Sequence, residues 1–386
     1  MVDRDELLGR AKELVPALRQ RASLAEELRR IPQETVDDLH ATEIMRAAQP
    51  KRFGGFDLDY EIVLEIASEL GRGCGSTAWC YSIWASHNWV AGMYSEQAQQ
   101  EYWADSIDTL SSTSLNPSKA QVTPADGGGY VISGRWSFSS GCDEAEWAML
   151  AGTAPHGLIY FLVPKSDFTI DDNWFVSGLK GTGSKDITIE NAFVPEHRAL
   201  LQVEIQEGRS PGRDLHGTPN FRIPHLTMFP YTLAAPVIGV ARGALEEFER
   251  HMADRVAYTT GEKLGESAPV HIRLAEAEAE IHAAQLIMGN DCQEVFALAR
   301  KNELPTLEQR AAYRRNQAYV AKLSVQAVNR LFEASGGNTL FDSSPMQRFH
   351  RDAHAASHHF GLSWDTAAEQ FGRSRLGLGP KAAVRI

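Results

Sequence analysis

Residues 111–151, SSTSLNPSKAQVTPADGGGYVISGRWSFSSGCDEAEWAMLA, decide how the rest of the chain is read. A Ser/Thr run ending in Asn116-Pro117 sets short hydroxyls and backbone donors beside a turn. Asp126 to Gly129 form a Gly-rich hairpin turn joining Val122 to a strand through Tyr130-Val131-Ile132. Trp136-Ser137-Phe138-Ser139-Ser140-Gly141 then alternates aromatic and hydroxyl side chains. At a period of two, Trp136 and Phe138 share one strand face, and Ser137 and Ser139 the other. An aromatic wall beside short hydroxyls suits a planar heterocycle with hydrogen-bonding edges. A sandwich strand with a buried aromatic face accounts for the same pattern.

On either side of this β-patterned stretch the period becomes helical. Leu7, Leu8, Ala11, Leu14, Val15 and Leu18 recur at helical spacing, as do Val36, Leu39, Ile44 and Met45. Ile31-Pro32 restarts a helix with proline near its first turn. Arg52 to Phe56 is a loop, and a periodic helix runs from Tyr60 to Leu70. Ser76 is expected to cap an apolar helix through Trp84 and Trp89. After the strand-like runs at 147–150, 158–163 and 187–189, residues 203–219 are polar and rich in Gly and Pro, which predicts a mobile surface loop. Three long striped helices follow, Pro236 to Arg255, Val270 to Leu298 and Leu307 to Ala334, and predict an antiparallel bundle. The expected organisation is an N-terminal helical domain (1–110), a central β domain (111–220) and a C-terminal helical bundle (221–386).

A net charge of −12 argues against nucleic acid or an anionic membrane as partner. The four cysteines form no CxxC pair, which suits a reducing, cytoplasmic setting. The charged, amphipathic start MVDRDELLGRAKEL does not read as a signal peptide, and no apolar run reaches membrane length.

Two groups of histidines stand out. His87 lies in the apolar run Ala85-Ser86-His87-Asn88-Trp89, where a satisfied core histidine and a site residue are both open readings. His350, His354 and His358 fall on one helical face at i, i+4, i+8, but no carboxylate or cysteine joins them at ligand spacing, so no metal is expected. His359 points about a quarter-turn away from that face.

The chain resembles, nearly end to end, the acyl-CoA dehydrogenase fold, and more closely the flavin-dependent monooxygenases built on it. These are the oxygenase components of two-component phenol hydroxylases, the hydroxylase of a steroid-derived phenol among them. The resemblance is carried by Gln49-Pro50-Lys51-Arg52-Phe53-Gly54-Gly55, by the 111–151 stretch, by His87-Asn88-Trp89, and by Gly336-Gly337-Asn338 leading to Arg351-Asp352. It implies an α+β architecture: an N-terminal helical domain, a central β-sandwich or barrel, and a C-terminal four-helix bundle, usually in a homotetramer. The dehydrogenases close the last region with a Tyr-Glu-Gly-Thr whose glutamate is the catalytic base. Here Ser357-His358-His359-Phe360-Gly361 follows instead, with no carboxylate at that place.

The resemblance further implies flavin contacts from Ser114, Asn116 and Pro117 (the pyrimidine-ring loop), Phe138, Ser140 near flavin N5, Trp174, Thr182 and Ser184. Arg222 is expected as a cation near the reduced flavin. The Gly181-Thr182-Gly183-Ser184 turn is read equally as an anion-binding turn or as an ordinary β-turn. His87 is expected to orient a phenol and His359 to act as base towards it, with Trp84, Trp89 and Phe360 lining the pocket of a small-molecule aromatic substrate. Those three suggest a large apolar phenol, steroid-like or polycyclic, with a simpler phenol or an indole as alternatives. A phenol's ordinary pKa is about 10, so a neutral imidazole can share or take its proton and enrich the ortho carbon. The cofactors implied are FMNH2 or FADH2 together with O2, acting through a C4a-hydroperoxide. Glu333, standing where the dehydrogenases place a pyrophosphate-holding Gln, tilts the choice towards FMNH2. No GxGxxG strand–helix unit is present, so a separate NAD(P)H-dependent flavin reductase is expected as partner. An N-oxygenase of an amine or amino sugar, an acyl-CoA dehydrogenase and a non-catalytic member of the fold are the competing readings.

Overall fold

The computed structural model describes residues 2–256, 261–379 and 381. The first helices are α1 (Arg4–Leu28), α2 (Gln33–Ala41), α3 (Glu61–Gly71), α4 (Gly75–Ala91) and α5 (Glu96–Tyr102). Asp3 caps α1 by accepting from the Glu6 N–H, and Pro32 precedes α2 as its cap residue. The cap position of α4 is Cys74, not Ser76, and no side chain serves there. Every residue of α4 is buried, so this helix is held by packing on all faces rather than by its ends.

The strands are β1 (Ser111–Ser114), β2 (Ala120–Pro124), β3 (Tyr130–Ser139), β4 (Trp147–Ala154), β5 (Gly157–Pro164), β6 (Thr169–Asp171), β7 (Lys185–Val194) and β8 (Ala199–Leu201). They form two four-stranded sheets, β1-β4-β5-β8 and β2-β3-β7-β6, around a shared core that includes Ile132, Trp136, Leu150, Phe161, Val163 and Ile187. The Gly-rich hairpin forms as expected, with Val122 opposite Ile132. Two bulges interrupt the pairing of β3 with β7, one with the extra residue in β7 opposite Ile132–Gly134 and one with it in β3. Trp136 pairs with Ile187 and Ser139 with Lys185, which leaves an extra residue in β3. Phe138 takes it up in a left-handed conformation (φ +65°) and is 68% exposed, while Trp136 is fully buried. The expected common face of Trp136 and Phe138 is therefore broken by this bulge.

The remaining helices are α6 (Gln202–Gln206), α7 (Arg213–His216), α8 (His225–Ala253), α9 (Ala268–Arg300), α10 (Leu307–Ala334), α11 (Pro345–Ser357) and α12 (Trp364–Arg375). Helix α8 starts eleven residues earlier than its stripe suggested and carries Pro230 and Pro236 within it. It is buried against α3, α4, α9, α10 and α11 and forms the axis of a core shared by the N-terminal and C-terminal helices. Its crossing with α3 is close: a Cβ on Gly71 would lie 2.8 Å from the Gly239 backbone, so only glycine fits. Among the described residues α8 alone is long and apolar enough to cross a membrane, but 89% of its apolar window is buried inside the fold.

Residues 203–219, expected as a mobile loop, hold two short helices tied to the body. The Gly212 N–H donates to Met93 O, His216 Nε2 pairs with Gln99 Oε1, and Arg213 Nη1 donates to Gly208 O. Polarity in this segment reflects specific hydrogen bonding rather than solvation.

Candidate active site

Two sites emerge where α4 meets the sandwich. The first is a narrow pocket lined by His87 and Val90 of α4, Thr113 and Leu115 at β1, Met149, Tyr160, and His225 and Phe229 of α8. His87 is 1% exposed, and its Nδ1 lies 2.5 Å from the Ser111 carbonyl oxygen. A carbonyl can only accept, so Nδ1 carries the proton and Nε2 is a bare acceptor. That Nε2 is buried and has no hydrogen-bond partner. Burial pushes the imidazole down to about 4, against the smaller opposing effect of the Ser111 carbonyl. His87 is thus a neutral acceptor of fixed tautomer.

The second site is a chain of hydroxyls beside the β3 bulge. Trp79 Nε1 donates to Ser140 Oγ (3.0 Å), Ser140 pairs with Ser184 (2.7 Å), and Ser184 with Thr182 (2.6 Å). Thr182 Oγ1 also donates to the Leu179 carbonyl at 2.9 Å. That last bond orders the others. Thr182 spends its only proton on the carbonyl, so Ser184 must donate to Thr182, and Ser140 to Ser184. Ser140 Oγ is left as an acceptor towards anything placed beside it. The Gly181–Ser184 segment is a buried turn whose Thr182 N–H donates to Leu179 O.

His359 approaches this chain, with its ring 5.9 Å from Trp79. It lies off the α11 helix: α11 stops at Ser357, and His359 becomes the cap of a 3-10 turn, Phe360–Leu362. Its Nδ1 accepts the Gly361 N–H at 3.0 Å, so the neutral ring carries its proton on Nε2. Burial first, then the Arg314 guanidinium, push its pKa down to about 4. A ring that already accepts at Nδ1 and resists protonation is a hydrogen-bond donor at Nε2.

The other expected residues are placed as follows. Trp84 donates to Gly141 O (3.3 Å) and supports the turn after Ser140, where a Cβ on Gly141 would meet its indole at 2.6 Å. Trp89 donates to Asn220 O and stacks on Tyr60 and His225, behind the cavity rather than in its lining. Phe360 stacks on His359 and is 70% exposed. The Ser114 hydroxyl donates to Ser137 O, and Asn116 Oδ1 accepts the Ser118 N–H in an exposed turn that includes Pro117. Phe138 and Trp174 meet edge to face at the surface, 6.1 Å apart. Arg222 donates to Gly217 O, and no contact brings it to the hydroxyl chain. Glu333 is exposed at the end of α10.

The histidines on α11 have separate partners: His354 bonds Asn329, His350 stacks on Phe332, and His358 bonds a backbone carbonyl. Asp352, the carboxylate nearest in sequence to the missing base, is buried and accepts the Leu179 N–H at 2.7 Å. That tie joins α11 to the hydroxyl-chain turn. Trp79, Thr113, His225 and Phe229 were not picked out from the sequence. Aromatic and hydroxyl side chains inside apolar runs carry no local sign of the cavity they face.

An acceptor hydroxyl, a donor imidazole and a nearby aromatic pair are groups that could contact a reduced flavin. Helices, two-sheet sandwich and helical bundle in this order define a protein of the acyl-CoA dehydrogenase architecture. Residues 10–108 match the acyl-CoA dehydrogenase N-terminal domain, and 231–364 the C-terminal domain. The chain is 37% identical to the flavin-dependent monooxygenase oxygenase subunit HsaA of Rhodococcus jostii, covering 96% of this chain and 98% of that one. It is 34% identical to the FADH(2)-dependent resorcinol hydroxylase oxygenase component of a Rhizobium species, over 97% and 95%. The crystal structure of 3-HSA hydroxylase from Rhodococcus sp. RHA1 superposes with a TM-score of 0.93 at 36% identity, covering 97% and 98%. The chain belongs to the flavin-dependent monooxygenases of this fold, as an oxygenase component that works with reduced flavin from a separate reductase.

Proposed function

We propose that the enzyme hydroxylates a phenolic ring held in the His87 cavity, using O2 and FMNH2 or FADH2 delivered by an NAD(P)H-dependent flavin reductase. The observation that carries this is the buried, unpartnered Nε2 of His87, a residue that lines a mostly apolar pocket. A phenol O–H donates to that nitrogen. Against a phenol near 10, an imidazole near 4 leaves full proton transfer uphill by about six pKa units, roughly 8 kcal/mol. His87 therefore shares the proton at rest and takes it as the ring attacks and its oxygen becomes more acidic.

Reduced flavin, when bound, supplies the electrons that activate O2 for transfer of one oxygen atom to the ring. Ser140 Oγ would accept from the N–H that only the reduced form carries, and the Nε2–H of His359 would be available as a donor. Phe138 and Trp174 offer an apolar edge, and the turn at Ser114 to Pro117 flanks it. Val90, Leu115, Met149 and Phe229 keep water from the ring. The opposite tautomers support exchanging the two histidines' expected roles: His87 acceptor, His359 donor.

The charge of Glu333 favours FMNH2 over FADH2. Exposed apolar side chains on the C-terminal helices and their connections, Ile272, Leu286, Leu304, Leu307, Leu340 and Phe341 among them, support a homotetramer. Four unpaired, buried cysteines suit the cytoplasm.

The test supplies FMNH2 anaerobically, then O2 and a panel of phenols, and quantifies hydroxylated product and H2O2. His87→Phe should still consume O2 but release H2O2 in place of product, lowering product yield at least tenfold. An unchanged product yield in this variant would overturn the assignment.

A further inference from the structure

His225 is the first residue of α8, directly after Pro224. It is 1% exposed, and its ring is held by Trp89 (5.9 Å), Tyr160 (5.7 Å) and Phe229 (4.4 Å). Like His87 it lines this pocket, and its Nδ1 is likewise buried without a hydrogen-bond partner. Burial, then the neighbouring His87, keep it neutral, with its pKa pushed down to about 3. Two imidazoles from two different helices thus line one pocket, each with a buried nitrogen that has no hydrogen-bond partner. Packing does not require this, because a phenylalanine would fill the aromatic nest of Trp89, Tyr160 and Phe229 without burying a polar atom.

We propose that His225 is a specificity-determining residue, and that the ring docked on His87 carries a second hydrogen-bonding oxygen: the substrate is a dihydroxylated or hydroxy-keto aromatic rather than a simple phenol. The inference rests on the cavity being the substrate site. A ring with one oxygen satisfies His87 and leaves Nδ1 of His225 dry, whereas a ring with two oxygens satisfies both. A site built around a buried hydrogen bond rejects the analogue that lacks it by tenfold or more.

The test measures dissociation constants by calorimetry, anaerobically and with FMNH2 present, for phenol, catechol, resorcinol and hydroquinone. Without O2 no turnover occurs, so binding is read directly. At least one dihydroxybenzene should bind about tenfold or more tighter than phenol. His225→Phe should collapse that ratio to near one, and His225→Gln, which keeps a hydrogen-bonding side chain, should restore part of it. Equal binding of all four rings, or a ratio that survives in His225→Phe, would overturn the role of His225 and leave the hydroxylase reading standing. Failure of all four rings to bind would overturn both.

Discussion

Replacing Thr182 by valine tests whether the hydroxyl chain has a direction. Thr182 Oγ1 anchors it by donating to Leu179 O at 2.9 Å. Valine keeps the volume and removes the anchor. The Leu179 carbonyl is not orphaned, because it also accepts from Trp174 Nε1 (3.1 Å) and the Thr182 N–H (3.2 Å). Ser184 then has no acceptor at Thr182 and turns its proton to Ser140 Oγ, 2.7 Å away. Ser140 in turn directs its own proton outward. On the proposed placement of flavin beside Ser140, a group that would accept from the N5–H of the reduced form becomes a donor to the bare N5 of the oxidised form. Each neutral hydrogen bond is worth about 0.5–1.5 kcal/mol net, so exchanging one for the other shifts the preference by about 1–3 kcal/mol. That corresponds to a fall of roughly 5- to 150-fold in the ratio of the FMN to the FMNH2 dissociation constant. Both constants are measured by titration, the second anaerobically, with the melting temperature as a check on folding. A ratio within twofold of wild type, in a variant that melts normally, would refute the directed chain.

The remaining expectations concern pH and packing. Because burial depresses His87 to about 4, its neutral acceptor form persists as pH falls from 8 and is lost only as pH passes through that value. Product yield with supplied FMNH2 should therefore show no fall centred at 6.5, the ordinary histidine pKa, and a half-maximum there would contradict a buried acceptor. At Gly141 (φ +67°), alanine adds left-handed strain of about 1–2 kcal/mol. It also adds a Cβ 2.6 Å from the Trp84 indole, an overpacking cost of about 1–3 kcal/mol. Urea denaturation should show Gly141→Ala to be less stable by about 2–5 kcal/mol, and a loss under 1 kcal/mol would mean that Trp84 yields freely.

Much of the architecture could be read in the amino-acid order. The 111–151 stretch declared a hairpin because turn glycines between alternating residues favour one register, and Leu307 to Ala334 declared a helix because its apolar stripe repeats every three to four residues. These are local signals, set by backbone geometry and by neighbours a few residues away. The same local logic failed where a distant contact intervened. Phe138 left its expected face because β7 offers one residue fewer than β3 across the bulge. The 203–219 segment is anchored by Met93 and Gln99, which its own composition cannot reveal.

The sequence by itself determined which residue types were available for chemistry: two histidines in apolar surroundings, a serine after an aromatic strand, and no carboxylate where a dehydrogenase needs one. It did not determine what those groups do. Whether an imidazole donates or accepts depends on which nitrogen meets a carbonyl and which an N–H. For His87 that is Ser111 on β1, and for His359 it is Gly361 beyond the end of α11. The direction of the Ser140 hydroxyl is decided three links away, at Leu179. His225, Phe229 and Trp79 join the sites only through the packing of α4 and α8 against the sandwich. Proton positions are properties of hydrogen-bonded neighbours, and those neighbours are brought together only by the tertiary structure.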